Sequence, residues 1–184
     1  MGDYESYELR NKIKEEGEEE YFKKMQKSFG IEVTKESSKI DSLEIYETPI
    51  SIDYRFKTET NKEDIIYINP MFREAIKENP FKAAERKYPV EMPYTTDETY
   101  VATIYVPEGY EVDELPASIK VRLNEQNEGL FEYLIQRSGN IISMRSKIKL
   151  DRSFYVPEEY EMLREFFNLV VKKHSEQVVL KKKK

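Results

Sequence analysis

Few residues in this chain of 184 could carry chemistry. It contains one histidine, His174, and no cysteine, so it has neither a thiol nucleophile nor a disulfide framework. Any conventional serine–histidine arrangement must use His174, which lies among lysines and far in sequence from any distinctive serine. Its position near the end of a predicted helix favours a capping or solvent-facing role. We therefore expect no catalytic residue.

Metal and cofactor patterns are missing from the sequence as well. A single histidine without cysteine does not make a zinc site, and there is no Asp-x-Asp-x-Asp-Gly calcium loop. No glycine belongs to a phosphate-binding motif, since the nearest, Gly109, lies in a Pro-Glu-Gly turn. With 36 acidic residues, two carboxylates at a glycosidase-like separation occur by chance. The sequence predicts no metal, no cofactor and no enzymatic activity of its own.

Arg86 and Tyr94 are the candidate partner-binding residues. An arginine beside strand edges could bind an acidic partner, although a structural ion pair is the favoured interpretation of Arg86. Exposed tyrosines could stack on sugars. The chain has no tryptophan, and Tyr100, Tyr105 and Tyr133 lie in predicted strands, where a role in the core is favoured. Carbohydrate binding is therefore an alternative and not the main prediction.

Charge and hydropathy restrict the partners further. The net charge is −6, whereas a nucleic-acid-binding domain normally carries a basic face. The basic run 181–184 is interpreted as a solvated end. No apolar stretch approaches the length of a membrane span. The first five residues are polar and acidic, unlike a signal peptide. We expect neither nucleic-acid binding nor a membrane span.

The N-terminal part of the chain predicts a helix over 4–29. Its apolar residues recur at intervals of four, which places them on one face. They are Leu9, Ile13, Tyr21, Met25 and Phe29, with Gly17 in the same series. Gly30 is expected to end the helix. This helix makes residues 1–30 a helical segment in front of a β-rich domain over 31–184.

Strands dominate the rest of the chain. Residues 50–57 alternate strictly between apolar and polar side chains, as in a strand with one buried face. Residues 100–106 form an apolar run rich in Val, Ile, Thr and Tyr, which indicates a buried strand. Shorter strands are predicted over 31–34, 65–68, 88–94 and 119–124. A loop is predicted over 37–42 and a brief helix over 71–77.

A hairpin and a covering helix complete the prediction. Strands 130–136 and 141–150 flank Arg137-Ser138-Gly139-Asn140, a strong hairpin signal. The resulting meander has one apolar face, and the helix predicted over 157–174 would cover it before a short final strand. We predict an α+β fold, mainly an antiparallel β-sheet or two-sheet β-sandwich, with an N-terminal and a C-terminal α-helix.

Three segments carry a resemblance to a known family. Asn79-Pro80-Phe81 begins the pattern NPF…ER.YPV, and the following strand ends in VPEGYEVDELP. Upstream, IYINP at 66–70 precedes NPF as in that family, and downstream PEEYEMLREFFNLVVKKHSEQVVLKK at 157–182 is similar to its closing helix and strand. The chain resembles a domain of unknown function. In secreted Gram-negative bacterial proteins that domain lies C-terminal to a transglutaminase-like core.

The resemblance implies a non-catalytic accessory module of a periplasmic or exported protein. Such a module would pack on the cysteine-protease-type core, extend its substrate groove or bind a partner. The family's catalytic cysteine, histidine and aspartate belong to the core, and no position in this chain matches them. A signal peptide would then lie far upstream of Met1. The alternatives are a free-standing carbohydrate- or peptide-binding module and, third, an enzyme in its own right.

Overall fold

The structure is a computed structural model that describes residues 4–29, 37–57 and 63–183. The chain forms two compact units, Met1–Thr60 and Asn61–Lys184. The predicted α+β class is confirmed, because the described sheets are antiparallel and helices occur in the N-terminal and C-terminal parts. The predicted division after residue 30 stays a prediction. The observed units place residues 37–57 with the N-terminal helices.

The N-terminal unit contains two helices where the sequence predicts one. Helix α1 covers Tyr4–Glu16 and helix α2 covers Glu18–Phe29. The break lies at Gly17, whose φ of 84° is in the left-handed region that glycine adopts without strain. The Gly17 amide still donates to the Ile13 carbonyl at 2.8 Å, so α1 ends at a glycine of the usual C-terminal kind.

Two strands follow in the same unit, β1 at Ser38–Asp41 and β2 at Ser51–Tyr54. The loop predicted over 37–42 is wrong, because β1 pairs antiparallel with β2 despite its polar sequence. The strand predicted over 50–57 is present, although shorter, and its predicted alternation is confirmed. Ile52 and Tyr54 are half-buried and pack against the core pair Phe22 and Met25. The predictions for Gly30 and 31–34 lie outside the described residues.

The second unit is built from strands and one long helix. The strands are β3 Ile65–Ile68, β4 Val90–Glu91, β5 Thr96–Tyr105, β6 Tyr110–Glu114, β7 Ile119–Arg122, β8 Gly129–Ser138, β9 Ile141–Leu150, β10 Phe154–Tyr155 and β11 Val178–Lys182. Helix α3 covers Tyr160–His174 and follows a 3-10 turn at Pro157–Glu159. The strands form a four-stranded sheet β5-β9-β8-β7, a three-stranded sheet β3-β11-β6 and the ribbon β4-β10.

The predicted hairpin is confirmed and forms the centre of the large sheet. β8 and β9 pair from Gly129↔Leu150 to Ser138↔Ile141 around a turn in which Gly139 has a φ of 60°. The strand predicted over 100–106 is present as part of β5, but the prediction that it is a buried strand is wrong. β5 lies at the edge of the sheet, and Val101 and Tyr105 on its outer face are 65% and 70% exposed.

Helix α3 covers the inner face of the large sheet, as the sequence predicts. Its buried side chains include the predicted Tyr160, Leu163, Phe167 and Val170. The Phe166 and His174 rings lie 6.4 and 5.6 Å from the Phe131 ring of β8. The predicted final strand is also present, extended to Val178–Lys182, and it occupies the centre of the three-stranded sheet.

Candidate functional site

A histidine–serine pair lies inside the second unit, between α3 and the large sheet. His174 Nε2 is 3.0 Å from the Ser146 hydroxyl, although the two residues are 28 positions apart. Both side chains are buried, with 2% of His174 and 3% of Ser146 exposed. The capping or solvent-facing role expected for His174 is therefore wrong. The sequence did not single out Ser146, because an inward-facing serine in the middle of β9 carries no motif of its own.

The hydrogen bonds of His174 assign its tautomer. The Ile76 amide donates to Nδ1 at 3.1 Å, so Nδ1 carries a lone pair and the ring proton of the neutral form is on Nε2. Nε2 then donates to the Ser146 oxygen. A serine hydrolase needs the opposite polarity, in which Nε2 accepts the serine proton and Nδ1–H is held by an acceptor. In this arrangement Ser146 is not activated as a nucleophile.

Burial sets the charge of this histidine. Removal from water lowers the pKa of His174 to about 4, so the ring is neutral near pH 7. The same burial raises the pKa of the neighbouring Tyr133 hydroxyl, with a smaller contribution from Glu176. The pair is therefore neutral and buried, which suits a structural hydrogen bond.

A cleft of about 200 Å³ lies beside this pair, with Phe72, Ile76, Val171 and His174 among its lining residues. Two of its polar groups are already used. Ile76 N–H is bonded to His174 Nδ1, and the His174 carbonyl accepts from Asn69 Nδ2 at 2.8 Å. Lys77 and Ser175 supply further polar lining, so this small cleft offers few groups with which to orient a substrate.

Two Asn-Pro-apolar segments attach the loops of this unit to α3. In Asn69-Pro70-Met71, the Asn69 side chain accepts from the Met71 amide at 2.9 Å and donates to the last carbonyl of α3. In Asn79-Pro80-Phe81, the Asn79 side chain accepts from the Phe81 amide at 2.8 Å and donates to the Arg164 carbonyl. The turn at Asn69 replaces the brief helix predicted over 71–77, with the Phe72 amide bonded to the Asn69 carbonyl.

The Asn79-Pro80-Phe81 segment holds one end of an exposed loop. Residues 82–89 are all exposed, whereas Phe81 and Val90 at their ends are buried. The Phe81 ring packs on Tyr160 and Phe167, at 6.0 and 5.3 Å between centroids. The Tyr160 hydroxyl donates to the Ala83 carbonyl at 2.8 Å. The loop is therefore presented from a fixed base, as binding loops usually are.

Large apolar side chains are exposed around this loop and the ribbon that follows it. Tyr88 is 79% exposed, and Phe154 and Val156, which flank the fully buried Tyr155, are 47% and 38% exposed. β4 and β10 pair through Val90↔Tyr155, so Tyr88 precedes the strand that lies beside Phe154. We call Arg86, Tyr88, Phe154 and Val156 the ribbon surface. Exposed large apolar side chains on one loop and its adjoining ribbon are candidates for an interaction surface.

Arg152 positions the ribbon. Its guanidinium bonds to Glu128 and Glu159 at 2.8–2.9 Å, donates to the Phe154 carbonyl and lies 4.9 Å from the Tyr155 ring centre. The hydrogen bond from Arg152 lowers the pKa of Glu159, which also accepts from the Val156 amide. A network of this kind fixes the backbone from which Phe154 and Val156 project.

The two predicted partner-binding residues lie in this region. Arg86 is exposed, its Nε donates to the Tyr88 carbonyl at 3.2 Å, and it forms no ion pair with any described residue. The structural ion pair favoured from the sequence is therefore wrong for the part of the chain that the structure describes. Tyr94 follows the ribbon and is half-buried. The sequence missed Tyr88, Phe154 and Val156, since only packing decides which aromatic residues stay exposed.

The described residues contain neither a metal-binding cluster nor a membrane-spanning helix. Within residues 4–29, 37–57 and 63–183, no three His, Cys, Asp or Glu side chains are close enough to hold a metal ion. None of the helices in these segments is long and apolar enough to cross a bilayer.

Comparison with known families decides the identity of the second unit. Residues 64–180 match the family described as "Domain of Unknown Function with solved-structure structure (DUF3858)". The chain belongs to the DUF3858 family. The match includes the large sheet, α3 and the ribbon surface, and it confirms the predicted domain of unknown function. No curated protein matches the chain.

A solved structure shares the fold of this DUF3858 chain. The crystal structure of a Parabacteroides distasonis protein, described as a "putative protease", superposes with a TM-score of 0.52 at 18% sequence identity. The superposition covers 65% of this chain and 24% of that protein. The chain thus spans about a quarter of the length of that protein. At this identity the similarity concerns the fold.

Proposed function

We propose that this DUF3858 chain is a non-catalytic accessory module of a transglutaminase-like protein. In this proposal it packs on the cysteine-protease-type catalytic core, or binds a partner of that core, through the ribbon surface. The observation that carries the proposal is the ribbon surface itself, where exposed Tyr88, Phe154 and Val156 lie beside a loop with a fixed base, together with Arg86, which forms no ion pair with the described residues.

The chemistry of the interior supports a role without catalysis. Ser146 and His174 are the residue types of a hydrolase, but the proton on Nε2 points at the serine oxygen. Both residues are also buried. The sequence supplies no cysteine and no second histidine for another acyl-transfer arrangement. Incubation with amide and ester substrates should therefore give background rates, and a serine-directed fluorophosphonate should not label Ser146.

The relationship to longer proteins supports the accessory role. The solved structure with the same fold is about four times as long as the shared region, and it is described as a "putative protease". The resemblance of the NPF…ER.YPV stretch to domains that follow a transglutaminase-like core supports the same setting. It also supports a periplasmic or exported location.

A binding experiment tests the proposal. The chain would be titrated with a separately produced transglutaminase-like core from the same organism, by calorimetry or ultracentrifugation. Removing Tyr88 and Phe154 together, as Tyr88→Ser with Phe154→Ser, should weaken binding by tenfold or more, because both lose buried apolar area in the complex. Arg86→Ala should weaken binding and change the unfolding free energy by less than about 0.5 kcal/mol, since Arg86 is exposed and its hydrogen bond to the Tyr88 carbonyl is open to solvent.

The matched control is Tyr67→Ser. Tyr67 is also a large exposed side chain, at 62%, but it lies on β3 in the other sheet. It should leave binding unchanged. If Tyr67→Ser weakens binding and the double variant does not, the docking surface lies elsewhere. If no catalytic core or associated protein binds the wild-type chain, the accessory role is wrong.

A further inference from the structure

The outer strand of the large sheet has an unprotected edge. β5 is ten residues long and pairs with β9 over its whole length, from Thr96↔Leu150 to Tyr105↔Ile141, without a bulge. In the part of the chain that the structure describes, no strand pairs with its other side. The other edge strands of the second unit's larger sheets, β3, β6 and β7, are four or five residues long.

The usual protections of an edge strand are missing from β5. Natural edge strands are blocked by lysine, proline, bulges or short length, because an open edge pairs with other chains. The sequence TDETYVATIY contains no lysine, arginine or proline, and its acidic residues are confined to Asp97 and Glu98. From Thr99 to Tyr105 it is uncharged and rich in residues that favour strands. An open edge of this length is a template for pairing with another strand.

The order of residues in β5 suits a second copy of the same strand. In an antiparallel pair across a two-fold axis at Val101, each Val101 faces its equivalent and Thr99 faces Thr103. Asp97, which also pairs with Lys147 of β9 at 2.7 Å, faces the Tyr105 hydroxyl, which can donate to its other carboxylate oxygen. On the inner face the large Tyr100 faces the small Ala102, and Glu98 faces Ile104. Like pairs of β-branched residues and polar pairs of this type stabilise antiparallel strands.

We infer that this chain forms a two-fold symmetric dimer in which the β5 strands of two copies pair antiparallel about Val101. The interface is isologous, so one patch serves both copies and the assembly closes as a dimer. The two four-stranded sheets then become one continuous eight-stranded sheet. This surface is separate from the ribbon surface, and the inference does not rest on the proposed function.

Light scattering at increasing protein concentration tests the dimer. The wild-type chain should rise from its monomer mass of 22.0 kDa towards twice that value. Val101→Lys should abolish the rise, because it brings two ammonium groups together at the axis. Val101 is 65% exposed in the single chain, so the variant should keep the wild-type circular dichroism, and its melting temperature at concentrations where both proteins are monomeric. Tyr67→Lys, an equivalent change on the edge strand β3, should dimerise as the wild type does.

Cysteine cross-linking tests the register, because the chain has no cysteine of its own. Under mild oxidation Val101→Cys should give a covalent dimer. Thr103→Cys should not, since equivalent residues 103 lie four positions apart in this register, about 13 Å at strand spacing and too far for a disulfide.

Three results would overturn the inference. The first is a wild-type chain that stays at the monomer mass up to its highest soluble concentration. The second is a dimer that survives Val101→Lys or is lost in Tyr67→Lys. The third is equal cross-linking of the two cysteine variants, which would show that the strands do not pair about Val101.

Discussion

At the scale of single residues, hydrogen-bond polarity separates a structural pair from a catalytic one. Ser146 and His174 lie within hydrogen-bonding distance, yet the amide of Ile76 fixes the ring so that the serine accepts and does not donate. The pair joins β9 to the end of α3 and, through Ile76, to the loop that follows β3. The single histidine of the chain therefore contributes to stability through its neutral form.

Stability should depend on pH through His174. Its pKa is about 4 in the folded chain and 6.5 when exposed, so only the unfolded chain takes up a proton between these values. Stabilisation by His174 is complete above pH 6.5 and is lost as the pH falls towards 4. The loss between pH 7 and pH 5 should be about 2 kcal/mol, measured by urea unfolding. The pKa values of Glu128, Glu132 and Glu159 are lowered from 4.5, so the stabilisation that these carboxylates contribute is lost only at lower pH.

The matched variant for this prediction is His174→Asn. Its side-chain oxygen can still accept from the Ile76 amide, but it does not titrate in this range. The variant should be less stable at pH 7 and should lose the decrease between pH 7 and pH 5. An unchanged decrease would mean that another group causes it. In the wild type, the NMR signal of the single histidine should titrate near pH 4, and a midpoint near 6.5 would contradict a buried neutral ring.

At the scale of elements, the Asn-Pro-apolar segments explain why the resemblance is concentrated where it is. Each asparagine folds its own turn and also bonds to a carbonyl of α3, while the residue after proline, Met71 or Phe81, is buried at 2% or 9% exposure. Proline keeps the asparagine out of helical conformation. These segments attach loops to the helix, so each asparagine has a structural role.

Asn79→Ala should therefore destabilise the second unit. It removes the bonds to the Phe81 amide and the Arg164 carbonyl, both partly buried, and the expected loss is about 2 kcal/mol in the unfolding free energy. Asn168→Ala is the control, because it removes one solvent-exposed bond from Asn79 and one to Glu165, and it should cost about 0.5 kcal/mol. Equal losses in denaturant unfolding would show that the turn and the helix carbonyl contribute nothing.

Phe167→Ala should be the most damaging change on α3. Phe167 is 8% exposed and packs on Phe81, so its removal leaves a cavity between the helix and the loop base. The expected loss is about 3–5 kcal/mol, a large part of the stability of a domain. Lys172→Ala, on the exposed side of the same helix, should change stability by less than about 0.5 kcal/mol. A small effect of Phe167→Ala would mean that α3 does not hold the sheet.

The local sequence pattern was sufficient to predict some helices and strands and insufficient to predict others. The β8–β9 hairpin and α3 follow from turn residues and periodicity that lie within each segment. β1 does not, because its polar sequence SKID becomes a strand only through pairing with β2. The helix break at Gly17 depends on one backbone angle, and the edge position of β5 depends on the order of strands in the sheet. The Ser146–His174 contact likewise requires the tertiary fold, since 28 residues separate the pair.

At the scale of the whole molecule, the second unit combines a well-packed interior with exposed apolar side chains on the ribbon surface. The buried polar pair is satisfied within the core, whereas Tyr88, Phe154 and Val156 gain nothing from their exposure to water. The family match extends from 64 to 180 and includes this surface. A module whose interior is closed and whose ribbon is exposed is suited to binding another protein. The proposed accessory role therefore requires that the ribbon surface becomes buried in a complex.

Amide hydrogen exchange tests that claim most directly. The chain would be compared alone and bound to a transglutaminase-like catalytic core, with exchange followed by mass spectrometry of peptides. If the chain docks through the ribbon surface, exchange in the complex should be slower over 82–94 and 153–156 and unchanged in β3 and in the cleft beside His174. Slower exchange confined to the residues around His174 would contradict docking through this surface, because it would place the contact at the cleft.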